Sequence, residues 1–162
     1  MSTELKHATV DVRLREPCAA DVPMLFEWQS DPESNRLAGV YPRTREAFSA
    51  LWEKILDEDQ VTARVILADG APAGQISRFR RDDLDFIGYW IARSHWGRGI
   101  ATQALRKFLV VVWQRPLHAK VAAHNPASMR VLQRCGFVEV GREFGSETER
   151  VMACEEVHFL LA

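Results

Sequence analysis

Apolar and polar positions follow two periods along the chain, and each change of period marks an element. Thr9–Arg15 (TVDVRLR) alternates with period two and predicts a strand that Pro17 stops. Ala19–Asp31 places Val22, Leu25, Phe26 and Gln29 at helical spacing, with Asp21 as cap and Pro23 in the first turn. SDPESN then breaks the pattern. Phe48, Leu51, Trp52, Ile55 and Leu56 form the apolar stripe of a second helix, free of breakers over Ala47–Asp57 and capped by Thr44. Period two returns in Val61–Asp69, Gly74–Arg81 and Leu84–Ala92. These runs are separated by DGAPAG and by Asp82-Asp83, and predict an antiparallel meander.

A third helix over Gly99–Trp113 carries Ile100, Ala101, Ala104, Leu105, Phe108, Leu109 and Val112 on one side. Its terminal valines lean towards strand, but the spacing over three turns favours helix. Leu117–His124 is a strand. Asn125 as N-cap, Pro126 at the first helical position and Gly136 at the left-handed C-terminal position bound a short fourth helix. Phe137–Phe144 and Glu149–Leu161 are two further strands. The order is β-α-α-β-β-β-α-β-α-β-β, which predicts a single α+β (layered α/β) domain over residues 1–162 with one mixed sheet flanked by four helices.

Composition narrows the classes. With 162 residues the chain can bury a core without disulfides or metal staples. A net charge of −1, from 21 basic and 22 acidic residues, offers no general field for nucleic acid or an anionic membrane. A local cluster, Arg78, Arg80 and Arg81, is the one basic feature that a nucleic-acid reading could use. Cys18, Cys135 and Cys154 are odd in number and widely spaced, so they read as reduced residues of a cytoplasmic protein. MSTELKHATVDVRLR lacks the apolar core of a signal peptide, and LVVVW (Leu109–Trp113) is far too short to cross a membrane.

Candidate chemistry lies in HWGRGIATQAL, His95–Leu105, where two glycines stand directly ahead of a helix. A helix start carries unpaired N–H groups and partial positive charge, so it attracts anions. Gly97 and Gly99 leave room for an approaching group, and Arg98 adds charge. The stretch is neither a P-loop, lacking Gly-Lys-Ser/Thr, nor a dinucleotide fingerprint, lacking the third glycine. A second motif, N-x-x-S-x-x-x-L-x-x-x-G-F from Asn125 to Phe137, sits at another strand-to-helix junction.

Together with the element order, these motifs resemble the GNAT superfamily of N-acetyltransferases over essentially the whole chain. Trp96-Gly97-Arg98-Gly99-Ile100-Ala101 aligns with the family's R/Q-x-x-G-x-G/A, with Trp in place of Arg or Gln. IGYWIARSHWGRGIATQAL and LREPCAADVPMLFEWQSDPE resemble the branch that contains the ribosomal-protein alanine N-acetyltransferases. The resemblance implies a mostly antiparallel sheet of about seven strands whose fourth and fifth members, Leu84–Ala92 and Leu117–His124, splay apart to admit acetyl-CoA. The pyrophosphate would rest on backbone N–H groups of Gly97, Arg98, Gly99, Ile100, Ala101 and Thr102, behind Trp96. The pantetheine would pair with Ile91, Ala92 and Arg93 and touch Asn125, which can cap its helix at the same time. An N–H near Trp90 or Ile91 would polarise the thioester carbonyl. Arg130 and Arg134 could meet the outer phosphate or be plain solvated residues.

The implied activity is acetyl transfer from acetyl-CoA to a primary amine, a protein N-terminus or a small molecule, by direct attack and without a metal. Many relatives carry a tyrosine acid seven residues after the motif asparagine, where this chain has Leu132. Ser128 is the substitute that the branch implies, against a plain first-turn polar role. The acidic residue common in the branch's fourth strand is replaced by Phe86, and its neighbour Asp85 points to the opposite face. Water, Glu143, Glu155 and Glu156 remain as bases. Trp28 and Tyr41 could wall the acceptor site, and His95 and His124 read as solvated or capping residues. A homodimer is common in the family. The missing tyrosine and acid leave an alternative: a non-catalytic acyl-CoA-binding or regulatory module on the same fold.

Overall fold

The computed structural model describes residues 9–162. The leader reading of the first residues therefore lies largely outside the described part. Seven strands form one sheet: β1 (Val12–Arg15), β2 (Thr62–Ala68), β3 (Ala71–Arg81), β4 (Leu84–Ile91), β5 (Leu117–Ala122), β6 (Val138–Gly145) and β7 (Cys154–Leu161). Their order is β1-β2-β3-β4-β5-β7-β6. Five helices flank it: α1 (Val22–Gln29), α2 (Pro32–Ala38), α3 (Arg45–Asp57), α4 (Ile100–Val111) and α5 (Pro126–Arg134).

The meander is antiparallel as expected, and both of its turns hold two residues. Asp69-Gly70 have φ of 50° and 82°, and Asp82-Asp83 have 51° and 62°. Two successive positive φ values match the right-handed twist of the flanking strands, and Asp tolerates them better than most residues. β3 begins three residues earlier than Gly74. Pro72 joins it opposite Leu67, beside a register shift between Ile66 and Leu67, where a missing N–H is tolerated.

Side-chain alternation splits the core in two. On β2, Ala63 belongs to a cluster with Leu25, Phe48 and Trp52 of α1 and α3. Ile66 and Ala68 belong to the larger cluster with Ile100, Ala104, Leu105 and Phe108 of α4 and Leu132 of α5. Odd and even positions on a strand face opposite ways, so the sheet carries α1 and α3 on one side and α4 and α5 on the other.

Three expectations need correction. SDPESN is no break: Pro32–Ala38 is a helix, capped by the Asp31 carboxylate accepting from Ser34 N–H at 3.0 Å and closed by Gly39 at φ 69°. There are thus five α-helices among the described residues rather than four. The signature, an Asp or Asn cap followed by proline and a glycine stop, is the one that marks Asn125–Gly136. Asp21 does not cap α1. Its carboxylate accepts from Cys18 N–H at 2.8 Å and from both terminal nitrogens of Arg15, at 2.7 and 2.8 Å. The last strand starts at Cys154, not Glu149, because the preceding residues pair elsewhere. Val151 bridges to Val40, Tyr41 N–H donates to Arg150 O, and Met152 N–H donates to Gly39 O, both at 2.8 Å.

The Arg15–Asp21 pair ties the edge strand to the start of α1, and Arg15 holds the buried Asp21 carboxyl down at about 2 from an ordinary 3.8. A depressed carboxylate pKa stabilises the fold fully above the ordinary value and loses that contribution as pH falls through the folded value. Asp21→Asn is expected to lower unfolding free energy by about 2 kcal/mol near neutrality and by much less at pH ~2. Urea melts of both proteins at the two pH values check this.

Candidate active site

β4 and β5 run parallel but meet at a single register pair, Phe86↔His118. Beyond it they diverge towards their C-terminal ends. The opening between them leads into a cleft of about 330 Å³, lined by β4 from Tyr89 to Ile91, the loop and first turn of α4 from His95 to Thr102, one face of α5, and Ser34, Leu37 and Ala38 of α2. Below the split, Phe86, His118 and His158 stack, with ring centroids 5.0 to 6.3 Å apart. His118 Nδ1 and His158 Nε2 share a hydrogen bond of 2.8 Å. Burial, with His118 and Lys120 nearby, keeps His158 below its ordinary pKa.

Gly97 and Gly99 are both left-handed, at φ 74° and 73°, and a Cβ on either would meet nothing within 4 Å. Their missing side chains therefore relieve the backbone and leave open space that no group of the described residues fills. α2, α3 and α5 are each capped by a side chain, from Asp31, Thr44 and Asn125. α4 has none. Its first internal bond is donated by Gln103 N–H to Gly99 O at 3.2 Å, so the N–H groups of Ile100, Ala101 and Thr102 precede the helical ladder and are open to an anion. Arg98 does not add a free charge: it meets His95 Nδ1 at 3.0 Å and Asp69 at 3.4 Å. Arg130 and Arg134 line the opposite wall, and among the described residues neither has an ion-pair partner.

Trp96 has a definite role. Its indole N–H donates to Ile91 O at 2.9 Å, which pins the glycine loop to the end of β4. Ile91 lines the cleft; Ala92 is buried and donates its N–H to Ala73 O at 2.8 Å. Arg93 reaches outward to Asp31 at 3.3 Å.

On α5, Asn125 Oδ1 accepts from Ser128 N–H at 3.3 Å, and both side chains line the cleft. Ser128 Oγ lies 2.7 Å from the Tyr89 phenol oxygen. Leu132 is fully buried in the core, so that position contributes packing alone. Trp28 and Tyr41 do not line the cleft. The Trp28 carbonyl accepts from the Trp90 indole at 3.1 Å, and Tyr41 donates its hydroxyl to Glu147. Asp85 is held by Arg78 at 3.0 Å and Arg80 at 3.5 Å, which engages two of the three residues of the basic cluster. Glu155 accepts from Arg142 at 3.3 Å, and Glu143 and Glu156 oppose each other across β6 and β7. No carboxylate lines the cleft among the described residues. His124 Nε2 meets Arg36 O at 2.7 Å, a capping contact. Among the described residues no group of three or more His, Cys, Asp or Glu could hold a metal ion, and no helix is long and apolar enough to cross a membrane.

Two contributors were missed in the sequence. α2 supplies one wall, and its boundaries were readable from Asp31-Pro32 and Gly39. Tyr89 follows Ile87 by two residues on a strand whose alternation turns both towards α4 and α5.

A family model described as "Acetyltransferase (GNAT) domain" matches residues 11–138. "Putative ribosomal N-acetyltransferase YdaF" of Bacillus subtilis strain 168 is 30% identical over 137 residues, covering 80% of this chain and 73% of that protein. Among solved structures, the ribosomal L7/L12 alpha-N-protein acetyltransferase RimL in complex with coenzyme A superposes with a TM-score of 0.75 at 20% identity, covering 93% of both chains. An aminoglycoside acetyltransferase in complex with coenzyme A gives 0.76 at 18% identity, covering 93% of this chain and 94% of the other.

The chain has two tyrosines. Burial pushes Tyr89 well above the ordinary phenol value, and the Glu147 carboxylate raises Tyr41. Tyr89 should stay largely protonated at pH ~10, where a free tyrosine is half ionised, and Tyr41 should be less ionised there than a free tyrosine. An absorbance titration of tyrosinate should show no full step there, and Tyr89→Phe should remove the later of the two transitions.

Proposed function

Because the chain belongs to the GNAT acetyltransferase family, we propose that it moves the acetyl group of acetyl-CoA to a primary amine, with an α-amine such as a protein N-terminus as the preferred acceptor. The observation that carries the choice of acceptor is the cleft without a carboxylate. A lysine-type amine, with pKa ~10.4, spends about 4.6 kcal/mol to present its neutral form at pH 7, whereas an α-amine near ~7.7–8.0 spends about 1–1.4 kcal/mol. A site whose described lining holds no carboxylate base is suited to the second. The relative named a putative ribosomal N-acetyltransferase supports the same choice.

The residues present fit the coenzyme. The uncapped N–H groups of Ile100 to Thr102, with clearance at Gly97 and Gly99, suit a pyrophosphate. Arg130 and Arg134 suit a further phosphate. Ile91 and Asn125 flank the path of the pantetheine between the splayed strands. The amine nitrogen attacks the thioester carbon, the C–N bond forms, and the C–S bond breaks with its electron pair on sulfur. The proton shed by nitrogen balances the one gained by the thiol, and Ser128 is the side chain assigned to the departing sulfur. The thiol's ordinary pKa of ~8.5 means that this sulfur needs only modest help. The free state of Cys18, Cys135 and Cys154 supports a reducing, cytoplasmic setting.

Acetyl-CoA should raise the melting temperature saturably. Thiol release should be faster with peptides bearing a free N-terminus than with polyamines or aminoglycosides. Binding without release across the whole panel would sink the catalytic assignment, and preference for a polyamine would sink the choice of acceptor. Gly99→Asp should weaken acetyl-CoA about 100-fold or more, since a like charge in an anion site costs several kcal/mol. Gly99→Asn, which shares the backbone strain but not the charge, should lose far less; calorimetry distinguishes them.

A further inference from the structure

Tyr89 is a polar cleft side chain that the reaction as described leaves unused. Its phenol oxygen lies 2.7 Å from Ser128 Oγ and 3.1 Å from Ser128 O. A phenol has one proton, so the two acceptors compete for it. Ser128 O lies inside α5, where helix geometry gives it the N–H of Leu132. The 2.7 Å contact matches the preferred O–H···O distance. Either hydroxyl can donate across this contact, and the arrangement that frees the Ser128 proton is the one in which the phenol donates to Ser128 Oγ. With Oγ engaged as acceptor, the hydroxyl proton of Ser128 has no partner among the described residues and can turn into the cleft that the side chain lines. Without the phenol, a serine in the first turn of a helix bonds back to a carbonyl three or four residues earlier and withdraws that proton.

We propose that Tyr89 is the positioning residue of this site: its phenol holds Ser128 Oγ as acceptor, so that the Ser128 proton is presented to the coenzyme's departing sulfur. This rests on the assignment of Ser128 made above. Tyr89 is not a proton source. Burial favours its neutral form, so it remains a fixed donor through the reaction. Ser128 likewise donates a hydrogen bond without losing its proton. The thiolate leaves with the C–S electron pair, and its proton comes through solvent from the nitrogen that has been acylated.

The test needs no acceptor. Affinities for coenzyme A, which has a free thiol, and for acetyl-CoA, which has none, are measured about one pH unit below and above the thiol's ordinary ~8.5. A hydrogen bond to a charged sulfur should strengthen coenzyme A binding by the wild-type protein about tenfold as the thiolate forms, with acetyl-CoA unchanged. Ser128→Ala should abolish the gain, Tyr89→Phe should cut it to about threefold or less, and the double variant should match Ser128→Ala. A wild-type-like gain in Tyr89→Phe overturns the proposal. So does a Tyr89→Phe that weakens both ligands equally at both pH values, which marks a packing role alone, or a double variant worse than Ser128→Ala. A gain that is absent from the wild type, or that survives in Ser128→Ala, overturns the Ser128 assignment itself. Absence of acetyl-CoA binding at any pH overturns the coenzyme reading from which both descend.

Discussion

The single register pair between Phe86 and His118 governs the architecture. Strands that hydrogen-bond along their full length leave no room for a ligand between them; strands that never meet leave two separate sheets. Here the rings of Phe86, His118 and His158 hold the two halves together at one end, and divergence follows at the other. Because β4 and β5 are parallel, both C-terminal ends lie at the open end, and α4 and α5 begin there. Two helix N-termini therefore reach one opening, a concentration of backbone donors that an antiparallel pair would have dispersed.

The two helix starts are treated differently. Asn125 caps α5 with its own side chain, whereas α4 begins at a left-handed glycine with no cap. Leaving donors uncapped costs stability, and the cost is carried by packing: Ile100, Ala104, Leu105 and Phe108 seal α4 against the sheet almost completely. Trp96 adds a direct tether from the loop to Ile91 O. An indole that anchors through its N–H, while its ring stays partly exposed, serves the loop's position and needs no positive charge to do so.

Much of this was legible in the chain. The meander, the left-handed turn at Gly97 and Gly99 and both ends of α5 followed from alternation, glycine placement and capping chemistry, because each depends on residues a few positions apart. The departures arise where distant segments decide. Glu149–Ala153 has a strand-like pattern, yet its backbone groups pair with the α2–α3 connection. Asp21 looked like a helix cap, but Arg15 on a neighbouring strand claims its carboxylate. Tyr89 and Ser128 are 39 residues apart, and only the divergence of β4 from β5 brings α5 across to the phenol. α2 is the exception: its boundaries were local, and seven residues between two breaks were simply too short to stand out by periodicity.

The bridge between Val40 and Val151 couples the connection after α2 to the loop before β7. Neither segment belongs to the glycine loop or to β4, and the rim they form lies outside the residues that line the cleft. A lineage can lengthen or recharge that rim and leave the cradle's geometry untouched, provided that the two segments change in step. Inherited variation at the rim should therefore come in matched pairs, one member on either side of this bridge, so that the rim is remodelled as one part although the chain encodes it in two.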